Sequence, residues 1–146
     1  MNVLAVALIS IVTMASEARI IPRCELAKTL KEHGLDGFKG YTLKDWLCMV
    51  FFESNFNTRP PMTRGTRRQG NYGIFRFSNR YWCSDGKQRS RNVCNIACQK
   101  FLDDDITDDI ECAKKVVRGS GLNTWSAWTR RCRGKNLDSY LKGCSL

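Results

Sequence analysis

The chain has 146 residues, 42% of them apolar; this is one domain's length with material for a real core, which sets aside disorder and a two-domain division. Its 24 Lys+Arg against 14 Asp+Glu leave a net charge of +10, suited to anionic partners such as bacterial surfaces, acidic glycans or nucleic acid, with an ordinary solvated basic surface as the equal alternative. The single histidine, His33, excludes a two-histidine metal site, no Gly-rich phosphate loop precedes a helix, and eight cysteines without a C-x-x-C pair indicate a disulfide framework in an oxidising compartment.

Val3 to Ala15 is an uncharged, mostly apolar run, shorter than the ~20 residues of a membrane-spanning helix. With the small residues Ser16 and Ala18 behind it, it reads as a secretory signal peptide over residues 1–18, leaving 19–146 as the mature domain. A short helix is expected over about Glu25–His33, stopped by Gly34. Leu43, Trp46, Leu47, Val50 and Phe51 recur at helical spacing, and Thr42 with Asp45 resembles a capping box that uses Asp in place of Glu. Between Asn57 and Trp82 the character changes. Pro60, Pro61, Gly65, Gly70 and Gly73 punctuate short runs such as Tyr72–Phe77, which predicts a small sheet inserted between helices. Ile106, Ile110, Ala113 and Val117 share one face of a helix over about Thr107–Arg118, with Lys114, Lys115 and Arg118 at its negative end. A further helix is expected around Trp125–Arg131. The architecture is α+β, mostly helical.

Three features carry chemistry. Glu53 follows the apolar helix that ends near Phe52, on the side of Val50 and Trp46, where a carboxyl is partly desolvated and held toward its neutral form; the bland reading is a residue that terminates the helix. Ser54 through Ser84 contains no acid but carries Arg59, Arg64, Arg67, Arg68, Arg76 and Arg80, a one-signed field for anionic glycan, phospholipid or nucleic acid, or else a solvated face. Asp103, Asp104, Asp105, Asp108 and Asp109 crowd together in this basic chain. They do not fit an EF-hand loop, which from Asp103 requires Gly at Asp108 and Glu at Lys114.

The runs Arg23-Cys24-Glu25-Leu26-Ala27, His33-Gly34-Leu35-Asp36, Glu53-Ser54-Asn55-Phe56-Asn57, Asn71-Tyr72-Gly73-Ile74 and Trp125-Ser126-Ala127-Trp128, with the cysteine spacing, resemble c-type lysozyme and α-lactalbumin over the whole mature chain. The resemblance implies a lysozyme-like fold, a helical domain with a small inserted antiparallel sheet. It also implies the pairings Cys24–Cys144, Cys48–Cys132, Cys83–Cys98 and Cys94–Cys112, which the cysteine positions alone leave open. By the same resemblance Glu53 is the general acid of a retaining glycosidase, Trp125 the apolar wall beside it, and Tyr81 and Trp82 the plates on which sugars stack. Core packing is the alternative for the last two. Lysozyme is the standard example of this two-carboxylate chemistry.

Three departures from the family pattern stand out. The second carboxylate is replaced by Asn71, Arg76 stands where Gln is usual, and Ser78 where Asn is usual. An amide carries no charge and cannot form the glycosyl intermediate, so binding outlasts hydrolysis. The run Lys100 to Asp109 looks like the calcium elbow of α-lactalbumin and calcium-binding lysozymes. That likeness implies Ca2+ held by the side chains of Asp103, Asp108 and Asp109 and the main-chain carbonyls of Lys100 and Asp105. The expectation is thus a secreted, monomeric, calcium-binding protein that takes bacterial cell-wall glycan or chitooligosaccharide, with anionic membranes as a further partner and no specific nucleic acid. Its muramidase activity is weakened or lost. A lactalbumin-like modulator of a glycosyltransferase and a gamete-surface binding protein stay open as non-enzymatic alternatives.

Overall fold

The structure, a computed structural model, describes residues 19–62 and 70–146. The expected signal peptide, and Arg64, Arg67 and Arg68 of the arginine stretch, lie outside the described residues. The elements run α1 (Arg23–Glu32), α2 (Leu43–Ser54), β1 (Asn71–Tyr72), β2 (Phe77–Ser78), α3 (Thr107–Ser120) and α4 (Ser126–Arg131). Short 3-10 turns at Phe38–Gly40, Cys98–Leu102, Leu122–Thr124 and Asp138–Tyr140 join or follow them. Among the described residues, no helix is long and apolar enough to cross a membrane.

α2 is the central strut. The Asp45 N–H donates to Thr42 Oγ1 at 3.3 Å and the Thr42 N–H to Asp45 Oδ2 at 3.0 Å, so the shorter Asp closes the capping box. Behind that start, Leu43, Trp46, Leu47, Cys48, Met49 and Val50 are all buried, a wider face than the five-residue stripe of the sequence reading. Cys48 joins α2 to Cys132 beyond α4, and Cys24 joins α1 to Cys144. Cys83–Cys98 and Cys94–Cys112 tie the segment after the sheet to α3, so all four pairings agree with those implied by the resemblance.

The run Tyr72–Phe77 is not one strand. It folds into a hairpin in which Asn71 pairs with Ser78 and Tyr72 with Phe77, antiparallel, around a turn at 73–76. Two left-handed residues make that turn, Gly73 at φ 79° and Arg76 at φ 51°. Glycine is required at the first. A Cβ on Gly73 would lie 2.6 Å from Asp109 Oδ2 and 2.7 Å from the Phe101 carbonyl, so only a bare backbone lets the hairpin press onto the start of α3. From its other side the hairpin sends Phe75 and Phe77 into an aromatic core. Ring centroids lie 5.6 Å apart for Phe75–Phe77, 4.8 Å for Phe77–Phe101, 6.3 Å for Phe75–Trp46 and 6.3 Å for Phe75–Trp125. The hairpin is therefore fixed by packing rather than by its two-residue strands, which alone are too short to persist.

Candidate functional site

Glu53 lies inside the last turn of α2 rather than beyond its end. The helix stops two residues later, where Asn55 adopts φ 50° and Phe56 φ 63°, and the chain doubles back so that the Ile21 N–H donates to the Phe56 carbonyl at 2.9 Å. This reversal leaves the Glu53 side chain half-buried. Burial pushes its carboxyl above the usual carboxylate range, against the smaller opposing pull of the cations Arg76 and Arg130. Arg76 is also bonded to the same residue: its Nε donates to the Glu53 carbonyl, and its Nη1 donates to the Pro61 carbonyl at 3.0 Å. One guanidinium thus clamps the end of α2 to the segment that follows it, with its charge beside the acid.

Asn71 stands half-buried on β1 opposite Ser78 on β2. The Ser78 hydroxyl accepts the Arg80 N–H at 3.0 Å and its carbonyl accepts the Trp82 N–H at 3.0 Å, which turns the chain so that Tyr81 and Trp82 follow the hairpin directly. Tyr81 is 42% exposed, an accessible plate, whereas Trp82 is half-buried and leans on the core. Trp125 is only 6% exposed and its Nε1 donates to the Phe75 carbonyl at 2.9 Å, so it is locked to the hairpin turn and held 6.4 Å from Trp46. Glu53, Arg76, Asn71, Ser78 and Trp125 thus lie on elements that the hairpin binds together, with Tyr81 and Trp82 continuing from it.

Asp109, at the start of α3, is fully buried, and neither of its carboxylate oxygens receives a hydrogen bond of normal geometry. Asp103 Oδ1 is likewise buried and unpartnered. Burial pushes the Asp109 carboxyl up to about 8, and the charges of Asp103 and Asp108 add to the rise, while the nearby backbone N–H groups of Asp109 and Ile74 oppose it. Asp103 is raised too, by burial and then by Asp105. Asp105 turns its side chain away to the Thr107 hydroxyl and N–H, the latter at 3.0 Å, which holds it below the usual range. Lys100 is exposed in the 3-10 turn that leads into the cluster. As placed, no group of three acidic, histidine or cysteine side chains stands within joint reach of one ion among the described residues. The buried carboxylate oxygens nevertheless form an acceptor-only set in which Asp103 Oδ1 and both Asp109 oxygens lack a hydrogen bond of normal geometry, which is chemistry that suits a hard cation.

One residue of the site carried no sequence signal. The Asn79 side chain is 2% exposed, accepts the Gly70 N–H at 3.1 Å and donates to Asp85 Oδ2 at 2.8 Å, so it joins the chain before the hairpin to the loop after it. In sequence it is an ordinary turn residue. Arg76 stood out in sequence as a departure from the family pattern, but its clamp did not, because it depends on two carbonyls that are distant in sequence.

A sequence model of the C-type lysozyme/alpha-lactalbumin family matches residues 19–144. The milk isozyme of lysozyme C from Canis lupus familiaris is 48% identical over 129 residues, covering 88% of this chain and 100% of its own. Crystal structures of canine milk lysozyme superpose at a TM-score of 0.82 for the apo-type, covering 88% of this chain and 100% of the other, and 0.81 for the holo-type, covering 88% and 99%, both at 48% identity. Matched over residues 19–144 by the family model and over 88% of its length by sequence relatives and solved structures, the chain belongs to the C-type lysozyme/alpha-lactalbumin family.

Proposed function

We propose that this chain is a secreted, calcium-stabilised glycan-binding protein of lysozyme type, with weakened or lost hydrolysis of β-1,4-linked bacterial cell-wall glycan. The observation that carries the reading is the presence of a half-buried Glu53, its carboxyl pushed above the usual range by burial, together with an amide at Asn71, in a stretch from Ser54 to Ser84 that has no acid to substitute. Burial favours the neutral form of Glu53, the form that donates a proton to a leaving glycosidic oxygen. Asn71 supplies neither a nucleophile nor a negative charge to the oxocarbenium-like transition state. Arg76 adds a fixed positive charge on the side where positive charge develops, which opposes the same step. Ground-state contacts from Tyr81, Trp82 and Ser78 do not depend on the missing charge, and so binding persists where turnover does not.

Calcium fits the acidic elbow because Asp103 and Asp109 bury acceptor oxygens that receive no hydrogen bond of normal geometry. The side chains of Asp103, Asp108 and Asp109 and the main-chain carbonyls of Lys100 and Asp105 would hold it. Bound there, the ion supplies charge neutralisation between the hairpin and α3, a structural role. That a 48% identical relative is known in apo-type and holo-type forms supports a dissociable group in this fold. Four disulfides support an oxidising, extracellular setting.

The test is a paired measurement on the purified protein: clearing of bacterial cell wall and calorimetric binding of chitohexaose. Binding with little or no clearing is expected. Clearing at the rate of a two-carboxylate lysozyme overturns the catalytic part, and absence of both moves the non-enzymatic protein-binding alternatives ahead.

A further inference from the structure

Beyond the cleft, the segment after Trp82 loops out and returns beside it. The Arg91 N–H donates to the Arg80 carbonyl at 2.9 Å, the Val93 N–H to Tyr81 at 2.9 Å and the Cys94 N–H to Trp82 at 3.0 Å. Both arms are anchored by cystines, at Cys83 and Cys94. Against this seam lies an open hollow of about 550 Å³ lined by Arg80, Tyr81, Arg89, Ser90 and Arg91. Three of those five side chains are guanidinium groups and none is an acid. None of the three makes a salt bridge among the described residues. Asp85, the acid of this loop, is committed elsewhere: it accepts Asn79 Nδ2 at 2.8 Å and the Lys87 N–H at 2.8 Å. Ser90 holds the loop's shape, donating to the Cys83 carbonyl at 2.7 Å and accepting the Asn92 N–H at 3.0 Å. The Arg80 and Arg91 guanidiniums sit 5.7 and 5.8 Å from the Tyr81 ring centroid, so the aromatic ring gathers two like charges at one place.

Like charges gathered around a concavity repel until an anion joins them, and guanidinium donors match the paired oxygens of sulfate and carboxylate. We propose that this hollow is an anion subsite continuing the glycan cleft, and that it selects a β-1,4-linked saccharide chain bearing sulfate substituents. The inference rests on the glycan-binding reading above. Continuity favours a glycan: Tyr81, exposed beside Trp82, is itself part of the hollow's lining, so a sugar stacked on that ring has its neighbouring substituents beside the three guanidiniums. Confinement favours it as well, because a phosphate backbone is followed by a long basic groove rather than one pocket.

The experiment measures binding of the disulfide-bonded protein to chitohexaose and to sulfated chitohexaose, at low and high salt. The sulfated chain should bind about tenfold tighter at low salt, the scale of two or three partly exposed ion pairs acting together, and that advantage should shrink as salt screens it. In Arg89→Gln/Arg91→Gln the advantage should vanish while affinity for the neutral hexamer stays unchanged. Equal affinity for both chains in the native protein, or an advantage that survives in the double variant, overturns the subsite. A neutral hexamer that fails to bind, while the sulfated one binds through Arg89 and Arg91, upholds the hollow and sinks only the neutral-glycan reading. Anionic vesicles that displace the sulfated hexamer and lose affinity equally in the double variant overturn the choice of a glycan.

Discussion

Asn71→Asp should restore catalysis, and Arg76 should limit how far. Asn71 is held by the ladder opposite Ser78 and by a hairpin whose turn is locked to Trp125, so an isosteric carboxylate takes the same place. A unit negative charge about 4 Å from the developing positive charge, at an effective dielectric near 20, contributes about 4 kcal/mol. Given wholly to the transition state, that is about a thousandfold in rate. The Arg76 cation acts with the opposite sign on the same charge, so the single variant should fall short of this gain. Asn71→Asp/Arg76→Gln should exceed either single variant and approach the product of the two single effects. Arg76 also draws the Glu53 carboxyl downward, so its removal raises that group further and should move the alkaline limb of the pH–rate profile to higher pH. The assay is release of reducing ends from chitohexaose and cell wall across pH, with Glu53→Gln as the blank. An Asn71→Asp protein that binds chitohexaose yet turns over no faster than its parent refutes the electrostatic reasoning.

Calcium at 100-fold excess over its dissociation constant should add about 2.7 kcal/mol to unfolding stability, read by calorimetry with and without chelator. Asp109→Asn should abolish that gain while making the chelated protein more stable, because it removes a buried carboxyl that lacks a partner; equal calcium response in the variant would refute the site. Glu53 has a folded value above its unfolded one, so the stability it contributes is complete below the ordinary carboxylate range and is lost as pH rises through the raised value. Glu53→Gln should therefore be more stable relative to the parent at neutral pH than in acid, measured by denaturant titration at both; a constant difference counts against a buried acid. Gly73→Ala should lower stability and weaken calcium binding together, since its Cβ would meet Asp109 Oδ2 at 2.6 Å at a left-handed φ of 79°. A variant with unchanged melting and calcium affinity would show that the hairpin does not press on α3.

The residues by themselves determined whatever depends on neighbours along the chain. The start of α2 is written in Thr42 and Asp45, its buried face in the spacing of Leu43, Trp46, Leu47 and Val50, and the amphipathic face of α3 in Ile106, Ile110, Ala113 and Val117. The family motifs extended this to the cystine pairing, which cysteine spacing leaves open. The residues also determined that Asn71 carries no charge and that an acidic cluster precedes α3. Tertiary structure decided the rest. Tyr72–Phe77 reads locally as part of a small sheet, but its composition does not give the left-handed φ of 51° at Arg76 or the reach of that guanidinium to the Glu53 and Pro61 carbonyls, contacts that no local propensity encodes. Asp108 and Asp109 are adjacent and chemically alike; one is exposed and the other buried because the bare Gly73 backbone closes over Asp109 alone. The Glu53 carboxyl is raised above the usual range for the same kind of reason: the dielectric around a carboxyl is set by distant segments folded against it, and these acquire their positions only when the chain packs.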